Sequence, residues 1–454
     1  MTFEATDVLR LMDKIAHGLK YAPLYQQTGR VQKVVKPLIR ATLPDPHIGE
    51  IWELRNAGTD GQNVLAEVIG LDHDIALLTT IGDVGGLSNH TEVVRSGRGL
   101  VTPVGDELRG RILDALGRAA DGAPLQTEHY AKVDSGSPDL KTRRLIDKPI
   151  SVGVPAIDGF LTCGEGQRVG IFGSAGTGKS SLLASIVKNC DADIIVVALI
   201  GERGREVAEF VERQLGEEGF ARAVVVCATA ERPPMERVKA AHVATTIAEH
   251  FRDEGKRVLL LVDSVTRFAR ALREIGLAAG EPPARRGFPP SVFATMPALF
   301  ERAGRTEKGS ITAFYTVLIE DEETSDPIGE EVRSLLDGHI VLSRKLAESG
   351  HFPAIDVLAS ISRVMREIVD SEHQSASLYV RQLMSCFQEN ELLIRIGEYE
   401  PGSDGLLDEA VEKIDLINDL LQRDGSEPVD LATTRSTLLA LAEPVDVSAE
   451  ENEG

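Results

Sequence analysis

The stretch of sequence that decides the fold is Gly173-Ser-Ala-Gly-Thr-Gly-Lys-Ser180, a complete match to the pattern GxxxxGK[ST]. It follows an apolar run at 168–172 and precedes a helix-like segment at 181–187, which is the context that this motif requires. Glycines let the backbone wrap closely around phosphate groups with its N–H groups pointing inward, and the following helix adds its positive N-terminal end. The sequence therefore predicts a phosphate-binding P-loop between a strand and a helix.

The chemistry of this loop assigns roles to its last two residues. Lys179 is expected to contact the β- and γ-phosphates of a nucleotide, and Ser180 is expected to ligate Mg²⁺. A chance glycine-rich turn is the alternative, and the flanking strand and helix disfavour it. The residues expected to contact the nucleotide are Gly173, Ser174, Ala175, Gly176, Thr177, Gly178, Lys179, Ser180 and Ser181.

Apolar runs alternate with helical segments on both sides of the loop. They are rich in Val, Ile and Leu without polar alternation, which is typical of strands buried on both faces of a parallel sheet. The runs lie at 168–172, 194–199, 223–226, 258–262 and 311–315. The sequence therefore predicts an α/β core with a parallel sheet covered by helices.

Two carboxylates follow predicted strands of this sheet. Asp263 ends the run 258–262, 84 positions after Lys179, and is expected to hold Mg²⁺ directly or through water. Glu202 follows the run 194–199 and could orient and polarise an attacking water. It could equally be a charged residue stabilised at a helix N-terminus, and spacing alone does not decide between the two.

The ends of the chain differ from this core. Short β-rich runs between 31 and 95, separated by turn residues, predict a small barrel or sandwich, whereas segments beyond 370 have helical spacing. The predicted domains are an N-terminal helix at 1–25 that could dock a partner or pack on its own domain, a β-barrel-like domain at 26–95, the α/β domain at 96–370, and a helical domain at 371–454. Its acidic tail from Asp424 is expected to be frayed or weakly helical.

Composition limits the classes of function. The 454 residues carry a net charge of −22, which disfavours nucleic acid as the main partner. The four cysteines form no CxxC pair, and neither they nor the histidines suggest a zinc site. No secretory signal is apparent, and the longest apolar run is far shorter than the roughly 18 residues that span a bilayer. A soluble, cytoplasmic protein is expected, with any membrane association peripheral.

Longer motifs resemble a known family. The P-loop region from Gly166, the segments 198–207 and 261–270, and the segments 274–287 and 336–344 resemble the flagellar and virulence type III secretion ATPases, which are relatives of the catalytic subunit of rotary ATP synthases. Two further segments, 145–150 and 160–167, are more similar to the injectisome branch than to the flagellar branch.

The resemblance implies a three-part architecture and an activity. It implies a small N-terminal β-barrel, a RecA-like core and a C-terminal helical domain, assembled as a homohexamer with ATP at the subunit interfaces. It implies Mg-dependent ATP hydrolysis that energises type III secretion by releasing chaperones and unfolding secreted proteins. The implied partners are a stator-like regulatory protein at the N-terminus, a central stalk protein and chaperone–cargo complexes. Neither nucleic acid nor direct membrane insertion is expected, and the implied location is the cytoplasmic side of the inner membrane.

The resemblance also assigns roles that spacing leaves open. Glu202 matches the catalytic glutamate of the family, where non-catalytic rotary subunits usually carry Gln. Arg363 matches an arginine that reaches across a subunit interface to the γ-phosphate, although by itself it would be interpreted as a surface residue. Phe352 matches an aromatic residue that stacks on adenine, and Tyr399 is expected to form the other side of that pocket.

Other functions remain as alternatives. The chain could be a flagellar export ATPase or a rotary ATP synthase catalytic subunit, and the injectisome-like segments and the short helical C-terminal region disfavour these. It could be a non-catalytic nucleotide-binding scaffold, which Glu202 and the intact P-loop disfavour. An RNA-dependent hexameric helicase is disfavoured by the acidic composition and by the missing aromatic and basic RNA-binding signature.

Overall fold

The structure, a computed structural model, describes residues 28–55, 63–83, 85–97, 99–319, 326–423 and 429–443. These residues form two compact units that divide after position 98. The predicted helix at 1–25 lies outside the described residues, as does most of the acidic tail.

The first unit is a closed antiparallel barrel. Its strands are β1 (Thr28–Val35), β2 (Leu38–Thr42), β3 (Ile51–Leu54), β4 (Val64–Asp72), β5 (Ile75–Ile81) and β6 (Glu92–Arg95). They close in the order β1-β2-β5-β4-β3-β6. Buried residues alternate with less buried ones along β4, as expected for a barrel with one interior face, and Trp52 is fully buried inside. The short β-rich runs left a barrel or a sandwich open, and the closed barrel confirms the β-barrel-like domain predicted for this region.

The second unit is built on a large, mainly parallel sheet. Its described strands are β7 (Val101–Pro103), β8 (Arg111–Leu113), β9 (Tyr130–Lys132), β10 (Pro149–Ile150), β11 (Cys163–Gly164), β12 (Arg168–Gly173), β13 (Ile194–Ile200), β14 (Ala223–Ala228), β15 (Arg257–Asp263), β16 (Gly304–Arg305), β17 (Ser310–Leu318), β18 (Gly338–Leu342) and β19 (Ile355–Ser362). The sheet runs β19-β18-β12-β17-β15-β13-β14-β8. Every residue of β13 is buried, which agrees with the apolar runs predicted to be core strands.

The α-helices of the described ranges all belong to the second unit. In chain order they are α1 (Pro155–Phe160), α2 (Lys179–Asn189), α3 (Gly204–Glu209), α4 (Gly216–Ala221), α5 (Pro234–Asp253), α6 (Val265–Ala278), α7 (Pro290–Phe300), α8 (Pro327–Leu335), α9 (Arg344–Glu348), α10 (Met365–Ile368), α11 (Ser371–Ile396), α12 (Gly405–Leu421) and α13 (Leu431–Ala442). None of the helices in the described ranges is both long enough and apolar enough to cross a membrane.

One edge of the sheet departs from the predicted parallel arrangement. Strand β19 pairs antiparallel with β18, while β18 pairs parallel with β12. Residues 343–354, which include α9, connect the two strands and return the chain beside β18 in the opposite direction. As a result, β12 and β19 run in opposite directions. Their last residues lie at opposite ends of the sheet, measured along the strands.

The helices α11, α12 and α13 pack on the core of the second unit. Buried residues of all three belong to the same apolar cluster as the strands, for example Val380, Ile417 and Leu438. An aspartate caps the N-terminus of each helix, and Asp430 does so for α13. The part of the tail in α13 is therefore a well-formed helix rather than a frayed one, because its apolar face is buried.

Candidate nucleotide-binding site

The P-loop lies where β12 ends and α2 begins. Gly176 and Gly178 have φ angles of 84° and 78°, a left-handed conformation that glycine adopts without the penalty of a side chain. Within the loop, the Thr177 hydroxyl donates to the carbonyl of Ser174 over 2.9 Å. Helix α2 starts at Lys179, so its free N–H groups face the loop, and the side chains of Ser180 and Ser181 are exposed beside it. The nine residues predicted from the motif thus run from the end of β12 through the loop into the first turn of α2.

The lysine of the loop lies directly against the carboxylate at the end of β15. Lys179 Nζ is 2.6 Å from Asp263 Oδ1, and the two side chains are only 10% and 6% exposed. The hydroxyl of Thr316, on the neighbouring strand β17, donates to the same oxygen over 2.7 Å. The Asp263 carboxylate is therefore held in place, and the charge of Lys179 neutralises it. Phosphates could replace Asp263 as the partner of Lys179, and a cation could replace Lys179 as the partner of Asp263.

Glu202 is the second carboxylate at this edge, directly after β13. Arg267 pairs with it from the first turn of α6, with Nε 3.2 Å from one carboxylate oxygen and Nη2 3.3 Å from the other. Burial, the negative charge of Asp263 and a hydrogen bond with Glu206 raise the pKa of Glu202 to about 7, although Arg267 and Lys179 act in the opposite direction. A carboxyl group with a pKa near neutrality is suited to accept a proton from water.

This pKa predicts the pH dependence of ATP turnover. We expect kcat/KM for ATP to fall as the pH is lowered through about 7, because protonation removes the charge by which Glu202 is predicted to orient water. Arg267→Gln removes a cation that favours the carboxylate form of Glu202, so the pKa of Glu202 should rise. The acid limb of the pH profile, where kcat/KM falls, should then move to higher pH. Arg273→Gln, on the same helix and over the ring of Phe288, is the matched control and should leave the limb in place. An acid limb that is unchanged in Arg267→Gln would contradict this account.

A cavity of about 640 Å³ extends from the P-loop along α2. Phe352 lines it, 41% exposed, and a methyl group on Gly178 would come within 3.1 Å of its ring. The ring therefore lies on the P-loop, where a base attached to bound phosphates could stack. Among the described residues, Tyr399 does not line this cavity, and its hydroxyl donates to Asp408 instead. The structure thus brings Phe352, but not Tyr399, to the predicted base pocket.

Arg363 lies far from the P-loop of its own chain. It follows β19, whose last residue pairs with Gly338 at the start of β18. The P-loop follows Gly173 at the opposite end of β12, and the six residues of that strand span roughly 17 Å, more than an arginine side chain can bridge. The Arg363 side chain is exposed and donates to the carbonyl of Arg333 over 3.2 Å. It could therefore serve a nucleotide only if that nucleotide were bound to another copy of the chain.

Sequence reasoning missed two residues of the site. Arg267 lies four positions after Asp263, one turn into the helix that follows β15, so a search for cations near the strand end could have found it. Thr316 lies within β17, and nothing in its local sequence distinguishes it from a core threonine. Its contact with Asp263 depends on the pairing of β15 with β17.

Comparison with family models accounts for most of the chain. Residues 153–362 match the ATP synthase alpha/beta family, nucleotide-binding domain, and residues 31–97 match the beta-barrel domain of that family. Residues 369–440 match the T3SS EscN ATPase C-terminal domain. Each of the three predicted structural parts therefore has a counterpart in a known family.

Individual proteins are similar over nearly the whole chain. A type 3 secretion system ATPase of Sinorhizobium fredii (strain NBRC 101917 / NGR234) is 53% identical over 89% of this chain and 90% of its own length. That of Xanthomonas euvesicatoria is 50% identical over 97% of this chain and 98% of its own. The assembled ATPase EscN of enteropathogenic E. coli has a TM-score of 0.86 at 46% identity, covering 91% of this chain and all of that one. A second EscN structure, in complex with its central stalk EscO, has a TM-score of 0.84 at 46% identity over the same shares of both chains.

Proposed function

The chain belongs to the type III secretion ATPases and is therefore an ATPase, and we propose that it hydrolyses Mg-ATP as a homohexameric motor at the base of an injectisome. The observation that carries this proposal is the meeting of Lys179, Asp263 and Glu202 at the carboxyl edge of one parallel sheet, beside an intact P-loop. This is the edge at which open α/β sheets bind their ligands.

Each residue has a distinct role in the proposed reaction. Lys179 and the N–H groups of the P-loop hold the β- and γ-phosphates, while Glu202 orients the attacking water and accepts its proton. Phe352 stacks on the adenine. Catalysis is then mostly positioning and charge neutralisation, since phosphoryl transfer requires little covalent chemistry from the protein.

The residues present fit a magnesium ion that arrives with the nucleotide. Asp263 and Ser180 offer a carboxylate and a hydroxyl beside the phosphate cradle, and Mg²⁺ prefers oxygen ligands. No group of three or more His, Cys, Asp or Glu residues within the described ranges could hold a metal alone, which suits an ion bound mainly by phosphates. When bound, Mg²⁺ neutralises the charge that develops on the phosphate oxygens.

A ring is proposed because one chain does not contain the whole site. The position of Arg363 at the opposite edge of the sheet supports a site shared between subunits, with Arg363 of one subunit contacting the γ-phosphate bound by the next. The assembled state of EscN, 46% identical to this chain, supports the same arrangement. The closed ring would hold equivalent head-to-tail interfaces.

The further partners are proposed from the family. A central stalk protein would bind the ring, as EscO binds EscN. Chaperone–cargo complexes would be the substrates of the motor, and the segment 1–25 would bind a stator-like regulator. We place the ring on the cytoplasmic side of the inner membrane, attached through the secretion apparatus, without nucleic acid as a partner.

This proposal predicts Mg-dependent ATPase activity that depends on assembly. Phosphate release by the purified full chain should require Mg²⁺, and the specific activity should rise with protein concentration, because a monomer lacks Arg363 from a neighbour. Lys179→Ala should abolish turnover at every concentration and is the control for contaminating ATPases. A non-catalytic scaffold would bind ATP without phosphate release. Specific activity independent of concentration, in a protein shown to be monomeric, would refute the shared site.

A further inference from the structure

Two main-chain oxygens of one short segment anchor Arg363. Its guanidinium donates to the carbonyl of Arg333, at the end of α8, over 3.2 Å. Its backbone N–H donates to the carbonyl of Asp337, directly before β18, over 3.0 Å. The segment 333–337 therefore holds Arg363 through groups that no side-chain substitution there removes.

Side chains of the same segment contact β12, the strand that leads to the P-loop. The Asp337 carboxylate binds Arg168, the first residue of β12, at 3.0 Å from Nε and 3.2 Å from Nη2. It also accepts from the backbone N–H of Arg168 over 3.1 Å, and Arg168 is only 16% exposed. Such a partly buried, bidentate pair fixes the start of β12 against the segment that holds Arg363.

The segment 333–337 also contacts β12 near its other end. The guanidinium of Arg333 lies 4.7 Å from the ring centroid of Phe172, which is fully buried and immediately precedes Gly173 of the P-loop. This ring lies back over Gly170, where a methyl group would come within 2.5 Å of it. Both ends of the P-loop strand thus contact the segment that holds Arg363.

We propose that Arg333 and Asp337 are coupling residues, which transmit the engagement of Arg363 with a neighbour's nucleotide to the P-loop of their own subunit. This inference rests on the proposed ring. Movement of Arg363 would shift the segment 333–337, and the two side-chain contacts would carry that shift along β12 to the phosphate cradle. Nucleotide affinity at one interface would then depend on occupancy of the adjacent one, which is an energetic coupling between two sites.

The test is nucleotide binding in rings that cannot hydrolyse ATP. A fluorescent ATP analogue is titrated with Mg²⁺ onto the full chain carrying Glu202→Gln, at a protein concentration where assembly is complete. We expect tight and weak classes of site, whose affinities differ by about 5–150-fold for coupling of typical strength. Adding Asp337→Asn or Arg333→Ala should bring that ratio towards about 1, the value for independent sites.

Matched variants separate coupling from stability. Arg257→Gln removes a similar ion pair, with Asp191 and Asp193, from the first residue of the parallel strand β15, and it should preserve the two classes. Arg333→Lys, which can keep a cation over Phe172, should restore most of the difference that Arg333→Ala removes. Thermal unfolding and ring size should be the same in the variants that are compared.

The outcomes distinguish this inference from the proposed function. Two affinity classes that persist in both Asp337→Asn and Arg333→Ala would overturn the coupling role, while the motor itself would stand. A single affinity class in the Glu202→Gln parent would also overturn it, since there would be no coupling to transmit. Absence of nucleotide binding in that parent would instead overturn the proposed function.

Discussion

Glu202→Gln should lower ATP turnover by roughly 10²–10⁴-fold, the usual contribution of a positioned general base, while Mg-ATP remains bound. The amide keeps the size of the side chain but cannot accept a proton from water. The phosphate cradle, Lys179 and Asp263 are unchanged, so little binding energy is lost. The effect should therefore appear in kcat rather than in nucleotide affinity.

The measurement is steady-state phosphate release together with a binding titration of the same protein. Glu209→Gln is a matched control, because Glu209 is an exposed carboxylate on α3, the helix that follows Glu202. Its turnover should stay within a few-fold of the parent. Turnover near the parent level in Glu202→Gln would remove Glu202 from the proposed catalytic set.

Arg363→Ala should lower turnover by roughly 10³–10⁵-fold, the range that arginine fingers contribute to phosphoryl transfer. The P-loop, Lys179 and Glu202 are unchanged in this variant, so it should still bind nucleotide. Mixing it with Glu202→Gln subunits should then recover activity. In rings assembled at random from equal amounts, about a quarter of the interfaces combine an intact Glu202 with an intact Arg363.

The control for this rescue uses two defects on the same side of the interface. Lys179 and Glu202 belong to the same edge of one subunit, so mixed rings of Lys179→Ala and Glu202→Gln contain no complete site. They should stay inactive, whereas the Arg363→Ala mixture recovers. Equal behaviour of the two mixtures would show that Arg363 acts within its own chain, contrary to the topology of β19.

Local sequence was sufficient for much of the fold and for the phosphate site. The P-loop motif specifies its own backbone conformation, because Gly176 and Gly178 supply positive φ angles and the following helix begins at Lys179. Continuous apolar runs identified the core strands. Since parallel strands all end at one edge, the same runs predicted that Asp263 and Glu202 would lie near the loop.

The sequence by itself therefore determined a small β domain, the α/β core, the P-loop and the position of the two carboxylates, all of which depend on short-range patterns. Only the tertiary structure decided that Arg267 pairs with Glu202, that Thr316 holds Asp263, and that β19 runs antiparallel. That direction places Arg363 at the edge opposite its own P-loop. Such facts depend on which distant segments become neighbours, as in the Arg168–Asp337 pair, 169 positions apart in the chain. No local periodicity encodes such a contact, because strand order and direction are set by packing of the whole sheet.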